Sequence, residues 1–323
     1  MGHLLNGTWS FEETLVEQEN GKYVKKPSLF RNRVSADGSS GFKAEPGRYH
    51  LYSSIACPWA HRAVIFRVLK KLEGLITLTD TEQDGGGQGW AFAPAGQVVP
   101  GANGRLRFVH QLYTLSDPRC TTRVTVPVLW DGKSRQIVSN ESSEIMRMFN
   151  TEFAELTAAA PDFYPAHLRG EIEAMNEFVL ARINNGVNEC GRSTSQQAYE
   201  AAFDRLFSAL DTLEDLLGRQ RYLCGERQTE ADWRLFPSLI RFDPVYHIGY
   251  RCNLARLEDY PNLSNYLRDL YQTPGIAEAC DIAGMKRGAF AKAGPIGSNG
   301  IIPKGPELDH GRAHDRDRFA RVA

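Results

Sequence analysis

The stretch that most constrains this chain is Ser53-Ser54-Ile55-Ala56-Cys57-Pro58-Trp59-Ala60-His61-Arg62. The run Arg48 to Tyr52 leads into it and reads as a short buried strand. After it, Ala63, Val64, Phe66, Val68, Leu69 and Leu72 recur at helical spacing. Cys57 therefore stands where a strand ends and a helix begins. Pro58 fits the first helical position, where its missing N–H costs nothing. The exposed amides and the dipole at that end favour an anion, and a thiol seated there ionises more readily. Position 60 is Ala, so the site has one thiol and a second must come from another molecule. A buried structural cysteine is the competing reading, but strand, Cys, Pro and amphipathic helix arrive together.

At 323 residues the chain is long enough for two domains with separate cores. A net charge of -1 gives no reason to expect nucleic acid or an anionic membrane as a partner. No apolar stretch approaches the roughly 18 residues of a spanning helix, and no secretory signal is visible. The 6 cysteines lie at 57, 120, 190, 224, 252 and 280 without metal spacing. They read as reduced thiols in a cytoplasmic protein, and no metal site is expected.

Residues 1–45 read as an N-terminal extension with little regular structure, pinned by Phe11, Tyr23, Phe30 and Phe42. Residues 46–155 read as an α/β domain. Within it, Leu75-Ile-Thr-Leu78 is a second strand, and about 80–122 is a long irregular insertion. The glycine cluster Asp84 to Gly89 lacks the ending of a phosphate loop and reads as a flexible loop presenting Trp90. Arg123 to Trp130 and Gln136 to Val138 read as strands joined by the turn Asp131-Gly-Lys-Ser. Pro127 inside that run marks either an edge strand or a special turn, with cis geometry one option. Asn140 is expected to cap a helix over Glu141 to Phe149. Its free amides suit a carboxylate and Glu141 suits an ammonium, as an α-amino acid group would offer.

Residues 160–293 read as all-helical. Ala166 to Ile183 has one apolar face. Ser193-Thr-Ser-Gln196 and Thr229-Glu-Ala-Asp232 read as capping boxes, and Asp243-Pro-Val-Tyr246-His247 as a helix break. Asp259-Tyr-Pro-Asn262 starts a further helix. Residues 294–323 read as a wrapping tail, its last ten or so residues disordered.

With these elements in place, the chain resembles the glutathione S-transferase superfamily. More narrowly it resembles the Xi class, the glutathionyl-hydroquinone reductases. The resemblance rests on Cys57-Pro-Trp-Ala60-His-Arg62, Gly89-Trp90, Arg123-Val-Thr-Val-Pro-Val-Leu-Trp130-Asp131, Ser139-Asn-Glu-Ser142, Arg241-Phe-Asp-Pro-Val-Tyr246 and Gly300-Ile-Ile-Pro303-Lys-Gly305-Pro306. It implies a thioredoxin-like α/β N-terminal domain plus an all-α C-terminal domain, and a homodimer. It implies glutathione as co-substrate, held by Trp59, Trp90, Arg123, Val126, a cis Pro127, Glu141 and Ser142.

The chemistry so implied is removal of glutathione from an aromatic or quinone-type thioether through a Cys57–glutathione mixed disulfide. Tyr246, His247 and Tyr250 are the candidate acids, Tyr246 being placed with Cys57 as catalytic, and Asn188, Tyr246, His247 and Tyr250 line the substrate pocket. The family usually carries a tyrosine in the loop where this chain has Asn184-Asn-Gly-Val-Asn188. It usually carries a His-Tyr pair where this chain has Ala289-Phe290. Those departures keep two alternatives in view. One is a transferase of changed reaction, cleaving an aryl ether or conjugating an aromatic electrophile. The other is a non-catalytic protein that binds glutathione or an aromatic ligand.

Overall fold

The computed structural model describes residues 2–11, 17–19, 22–24, 27–157, 160–292, 296 and 299–319. Its contacts divide the chain into two units, residues 1–17 with 25–161, and residues 18–24 with 162–323.

The first unit contains β1 (His3–Leu5), β2 (Thr8–Ser10), β3 (Tyr49–Ser53), α1 (Pro58–Leu69), β4 (Ile76–Asp80), α2 (His110–Ser116), β5 (Thr122–Arg123), β6 (Val128–Asp131), β7 (Gln136–Ser139) and α3 (Ser142–Thr151). The main sheet has the order β7-β6-β3-β4. Every residue of β3 is buried, as expected of a central strand covered on both faces. Strand β6 runs antiparallel to β3, with Val128 opposite Tyr52 and Asp131 opposite Tyr49. It is also antiparallel to β7, with Leu129 opposite Ser139. Strands β3 and β7 therefore run parallel to each other, and both end at the edge where β6 begins.

The run Arg123 to Trp130 is thus not one strand. Its start, β5, pairs with β1 in a separate three-stranded sheet, and only the part after Pro127 joins the main sheet. The N-terminal extension is correspondingly more regular than the sequence suggests. Of its expected anchors, Phe42 is buried and Phe30 lies edge-on to Tyr113, whereas Phe11 stays exposed. The side chain of Tyr23 lies outside the described residues.

The insertion is also ordered. Glu82–Gln83 pairs with Trp90–Ala91, and Gln97–Val98 pairs with Arg105–Leu106. Trp130 Nε1 donates to Pro100 O at 2.9 Å, which staples the insertion to the sheet. At Gly101 (φ +77) a Cβ would lie 2.3 Å from Gly132 O, so only glycine permits this approach.

The second unit is helical, with α4 (Arg169–Phe178), α5 (Asn185–Arg192), α6 (Gln196–Leu217), α7 (Glu230–Leu239), α8 (Pro261–Tyr271) and α9 (Ile282–Phe290). Two π-helical segments interrupt it, Val179–Asn184 and Phe242–Tyr246. The first carries the chain straight from α4 into α5, so Asn184 to Asn188 is not a loop. Its polar groups are satisfied within the unit: Asn184 Nδ2 donates to Ser238 Oγ at 2.7 Å, and Asn188 Nδ2 to Asn184 O at 2.9 Å. The second carries α7 towards the short helix His247–Gly249, where a break was expected.

Helix α6 is capped by Ser195, whose side chain accepts from Ala198 N, and not by Ser193. Ser193 instead closes α5, its hydroxyl bonded to Glu189 O. The start of α8 is held by Glu214 of α6, which accepts from Asn262 N and Leu263 N, each at 2.8 Å. In the C-terminal tail the structure describes residues 296 and 299–319, and Arg316–Phe319 form a short helical turn. Arg316 is 0% exposed and donates to Leu217 O and Arg221 O at 2.8 and 2.7 Å, satisfying carbonyls at the end of α6. This is why residues 316–319 are not the free tail the sequence suggests; the remainder of that expectation, on residues 320–323, lies outside the described residues. Among the described residues no helix is long and apolar enough to cross a membrane.

Two buried groups give measurable expectations. Asp232 closes the capping box of α7 and accepts from Thr229 N (2.7 Å), Leu223 N (2.9 Å) and the Tyr266 hydroxyl (2.7 Å). Asp232→Ala strands these buried donors and is expected to cost about 3–5 kcal/mol in urea unfolding. His50 in β3 lies between the hydroxyls of Thr79 (2.8 Å) and Thr77 (2.6 Å), and burial, then the charge of Arg67, pushes it down to about 4. The unfolded chain binds this proton near pH 6.5, so stability is full above that pH and falls as pH drops towards 4. Unfolding free energies at pH 7 and 4.5 should differ by about 2 kcal/mol less in His50→Gln than in the parent.

Candidate active site

The edge where β3 and β7 end and β6 begins carries Cys57, Val126, Pro127 and Glu141. Leaving β3, the chain turns sharply: Ser54 Oγ donates to Thr81 O at 2.6 Å, Ile55 N to Asp80 Oδ1 at 3.0 Å and Cys57 N to Ser54 O at 2.9 Å. Cys57 is the N-cap of α1, with extended backbone (φ -103, ψ 114), and Pro58 opens the helix. The Cys57 side chain makes no cap hydrogen bond to the first turn. The half-buried thiol donates towards Val126 O at 3.6 Å. Val126 precedes Pro127 through a cis peptide bond, which is the turn reading of that proline and not the edge-strand one. Trp59 is half-buried, with the Arg62 guanidinium 4.5 Å above its ring.

The same edge carries a second helix mouth built alike. Glu141 caps α3 with φ -103 and ψ 111. The cap falls one residue later than predicted because the Asn140 amide is used elsewhere. Its Nδ2 donates to the Tyr113 hydroxyl (3.0 Å) and Thr125 Oγ1 (3.1 Å), and its Oδ1 accepts from Phe30 N (3.0 Å). The Tyr113 hydroxyl in turn donates to Thr125 O at 2.8 Å. One buried network thus ties α2, the residue before Val126 and the residue before Glu141. Nothing in the local sequence around Tyr113 announces it.

The Glu141 carboxylate accepts from Ser143 N (3.3 Å) and from the hydroxyls of Ser143 (3.1 Å) and Ser28 (2.9 Å). Ser28 is a contributor that sequence reading missed, since it lies over a hundred residues away. Ser142, the first residue of α3, is 2% exposed, and its hydroxyl has no hydrogen-bond partner among the described residues.

Trp90 is not presented on a flexible loop. It is 6% exposed, in a cluster with Leu4, Tyr52, Ala60 and Val126 against which Cys57 packs. The glycine stretch is a tight turn, with Asp84 N bonded to Gly89 O at 2.7 Å, and it returns the chain so that the indole is buried. Burying so large an apolar ring outweighs presenting it to water. Arg123 is half-buried in β5, directly opposite His3 of β1.

The acceptor-side candidates belong to the second unit. Tyr246 is buried and meets Tyr250 edge-on, ring centroids 4.9 Å apart. His247 is half-buried and acts electrostatically on Asp243 and Asp259, a different set of neighbours from the tyrosine pair. Asn188 is half-buried on α5, its amide turned back onto Asn184. Phe290 packs at Gly249, where a Cβ would come within 2.6 Å of its ring.

The 6 cysteines form no disulfide bonds with one another. Burial pushes the thiols of Cys120 up to about 11 and of Cys224 and Cys280 up to about 12, and it also raises Cys252. Those thiols stay protonated. Cys57 differs in standing at a helix start. Among the described residues no group of three His, Cys, Asp or Glu side chains is placed to hold a metal ion.

Known proteins share this arrangement. The family model for the glutathione S-transferase N-terminal domain matches residues 56–152, and that for the C-terminal domain matches residues 196–269. The glutathionyl-hydroquinone reductase YqjG of Escherichia coli is 44% identical over 98% of this chain and 99% of its own. Its glutathione-bound structure superposes with a TM-score of 0.87 at 43% identity, covering 98% of this chain and 100% of that one. A Xi class enzyme from Natrialba magadii superposes with a TM-score of 0.90 at 39% identity, covering 99% and 98%. With both halves of the fold matched and full-length relatives of this similarity, the chain belongs to the glutathione S-transferase family, in its Xi class, and is an enzyme of that type that uses glutathione.

Proposed function

We propose that the enzyme removes glutathione from an aromatic or quinone-type thioether by way of a Cys57–glutathione mixed disulfide. The observation that carries this reading is the Cys57 thiol at the start of α1, 3.6 Å from Val126 O. The second helix mouth, with the buried hydroxyl of Ser142, lies on the same sheet edge. In this reading the α-ammonium of the γ-glutamyl group meets Glu141. Its carboxylate meets the first-turn amides of α3 and Ser142 Oγ. The cysteinyl amide pairs with the backbone of Val126 before Pro127, and Arg123 neutralises the glycyl carboxylate. Trp59 and Trp90 wall the site. YqjG and its kind, named as glutathionyl-hydroquinone reductases, support the choice of substrate class.

The first chemical step is attack of the Cys57 thiolate on the thioether sulfur. The sulfur–carbon bond breaks as the sulfur–sulfur bond forms. An aryl carbanion is a poor leaving group, so the ring carbon bearing sulfur must first be protonated to its keto form. The electron pair then leaves into a dienone and the product returns as the hydroquinone. Tyr246, beside Tyr250, is the phenol this reading assigns to that proton. A second glutathione attacks the mixed disulfide, releases glutathione disulfide and restores the Cys57 thiolate. The net change is reduction of the thioether to hydroquinone with oxidation of two glutathione sulfurs. Such a cycle suits a reducing, cytoplasmic setting, and we extend the homodimer to this reading.

A changed acceptor is the second reading. Its motivation is Asn188, whose amide bonds within its own helix and offers no phenol. Assaying a glutathionyl-hydroquinone beside an aryl ether and an aromatic electrophile separates the two. Turnover confined to the ether or the electrophile would favour the second.

Cys57→Ser should lower hydroquinone release by about a thousandfold or more while glutathione binding, followed by calorimetry, changes little. Mass spectrometry of the parent, quenched early, should place one glutathione on Cys57, and retention of full rate in the variant would sink the mechanism. Ser142→Ala should raise KM for glutathione about tenfold with kcat nearly unchanged, the signature of a lost ground-state contact.

A further inference from the structure

Two cysteines that the Cys57 mechanism leaves idle meet inside the helical unit. Cys190 lies on α5, Cys252 follows the short helix His247–Gly249, and both are 0% exposed. Their thiols hydrogen-bond to each other. Both also lie close enough to the Tyr199 hydroxyl of α6 to influence it electrostatically, so three elements converge on the pair. The backbone around them is held in place. Arg251 takes the left-handed conformation (φ +60), unusual for a residue with a Cβ. Its guanidinium donates to Cys190 O at 2.9 Å and Gly191 O at 3.2 Å, and its carbonyl accepts from the Tyr199 hydroxyl at 2.8 Å. Cys252 N donates to Tyr246 O at 3.2 Å, and its thiol donates towards Tyr250 O at 3.7 Å.

We infer that Cys190 and Cys252 are a redox-active pair, a modification site at which hydrogen peroxide makes a disulfide between α5 and the turn at residues 250–252. Sulfur atoms already in contact need only a small closing movement to bond. Burial, then the Cys190 thiol, raises the Cys252 thiol, and the Arg251 guanidinium opposes them. Ionisation therefore waits on an opening of the turn, and a small uncharged oxidant suits so enclosed a pair. One thiolate attacks the peroxide, the oxygen–oxygen bond breaks, and a sulfenic acid and one water result. The second thiol attacks that sulfur, its proton leaves with the hydroxyl as a second water, and the sulfur–sulfur bond forms. The two sulfurs are oxidised and the peroxide is reduced. The new bond closes a loop that spans α6 and α7, which restricts the unfolded chain and stabilises the helical unit. None of this requires Cys57 or an acceptor.

The test treats the full-length protein with hydrogen peroxide, unfolds it in N-ethylmaleimide to block the remaining thiols, and digests it without reductant. Mass spectrometry should find one peptide pair joining Cys190 to Cys252, which dithiothreitol separates. The cross-link should form at least about tenfold more slowly than Cys57 is oxidised. The urea midpoint of the oxidised protein should rise by about 1 M and return on reduction. In Cys190→Ser both the cross-link and the rise should vanish, with Cys252 recovered as its maleimide adduct. Recovery of both cysteines as adducts in the parent, after exposure long past complete oxidation of Cys57, overturns the inference. So does a cross-link from either one to a different cysteine, or an equal yield from a chain oxidised while unfolded in urea. A Cys190–Cys252 cross-link with an unchanged midpoint overturns its stabilising role. Should Cys190→Ser not fold, the peptide map of the parent decides by itself.

Discussion

Strand Val128–Asp131 lies antiparallel between Tyr49–Ser53 and Gln136–Ser139, and the placement of Cys57, Val126 and Glu141 depends on that one pairing. Because its two neighbours both run opposite to it, they run alike, and the helix that follows each starts on the same edge. The residue that precedes the middle strand arrives at that edge too. Cys57, Val126 and Glu141 are therefore brought to one side by strand direction alone, which is the general position for ligands of open α/β sheets. A slip of one residue would turn every buried side chain of the middle strand to the other face. Arg48 guards against it at the far end, binding Asp131 through two hydrogen bonds of 2.9 and 2.7 Å. Burial by itself would raise Asp131, yet Arg48, Ser134 and the Lys133 amide hold its carboxyl below the ordinary range. The ion pair is thus fully charged at neutral pH, and its geometry is the bidentate one that fixes orientation as well as energy.

The same economy separates Cys57 from the other thiols. Cys120 belongs to the apolar cluster on which Cys57 packs, yet burial leaves it a protonated filler with its thiol near 11. Cys57 has the sheet edge and a helix start instead, where fixed dipoles replace lost water around an anion. Backbone position, not the presence of sulfur, is what sets Cys57 apart.

What could be read from the chain follows from how local each cause is. Strand, cysteine, proline and helix are contiguous between residues 48 and 72, so the Cys57 site was legible from spacing. The capping box at Thr229 was legible for the same reason. Asn140 was misplaced by one residue because its amide answers to Tyr113, Thr125 and Phe30, none of them near in sequence. Trp90 was misjudged because glycine content reports turn chemistry and says nothing of where the next side chain is buried. The end of the tail looked polar and free because Arg316 reads as a surface residue until three helix-end carbonyls appear around it. In each case a long-range partner decided, and periodicity carries no information about such partners.

Three departures from regular backbone in the helical unit adjoin residues singled out from the sequence. The π-helical segment Val179–Asn184 leads into the helix of Asn188 and Gly191, and the other, Phe242–Tyr246, ends at Tyr246. Left-handed Arg251 follows Tyr250. Each π segment rotates the helix beyond it relative to a regular course, and such segments are common at functional sites. A regular helix at either place would turn Asn188, Gly191 or Tyr246 to other faces. Natural chains keep such irregular backbone where function needs a side chain aimed, and relieve it elsewhere in the fold. Here the relief is visible in the Arg251 bonds to Cys190 and Gly191 and in Asn184 bonded to Ser238.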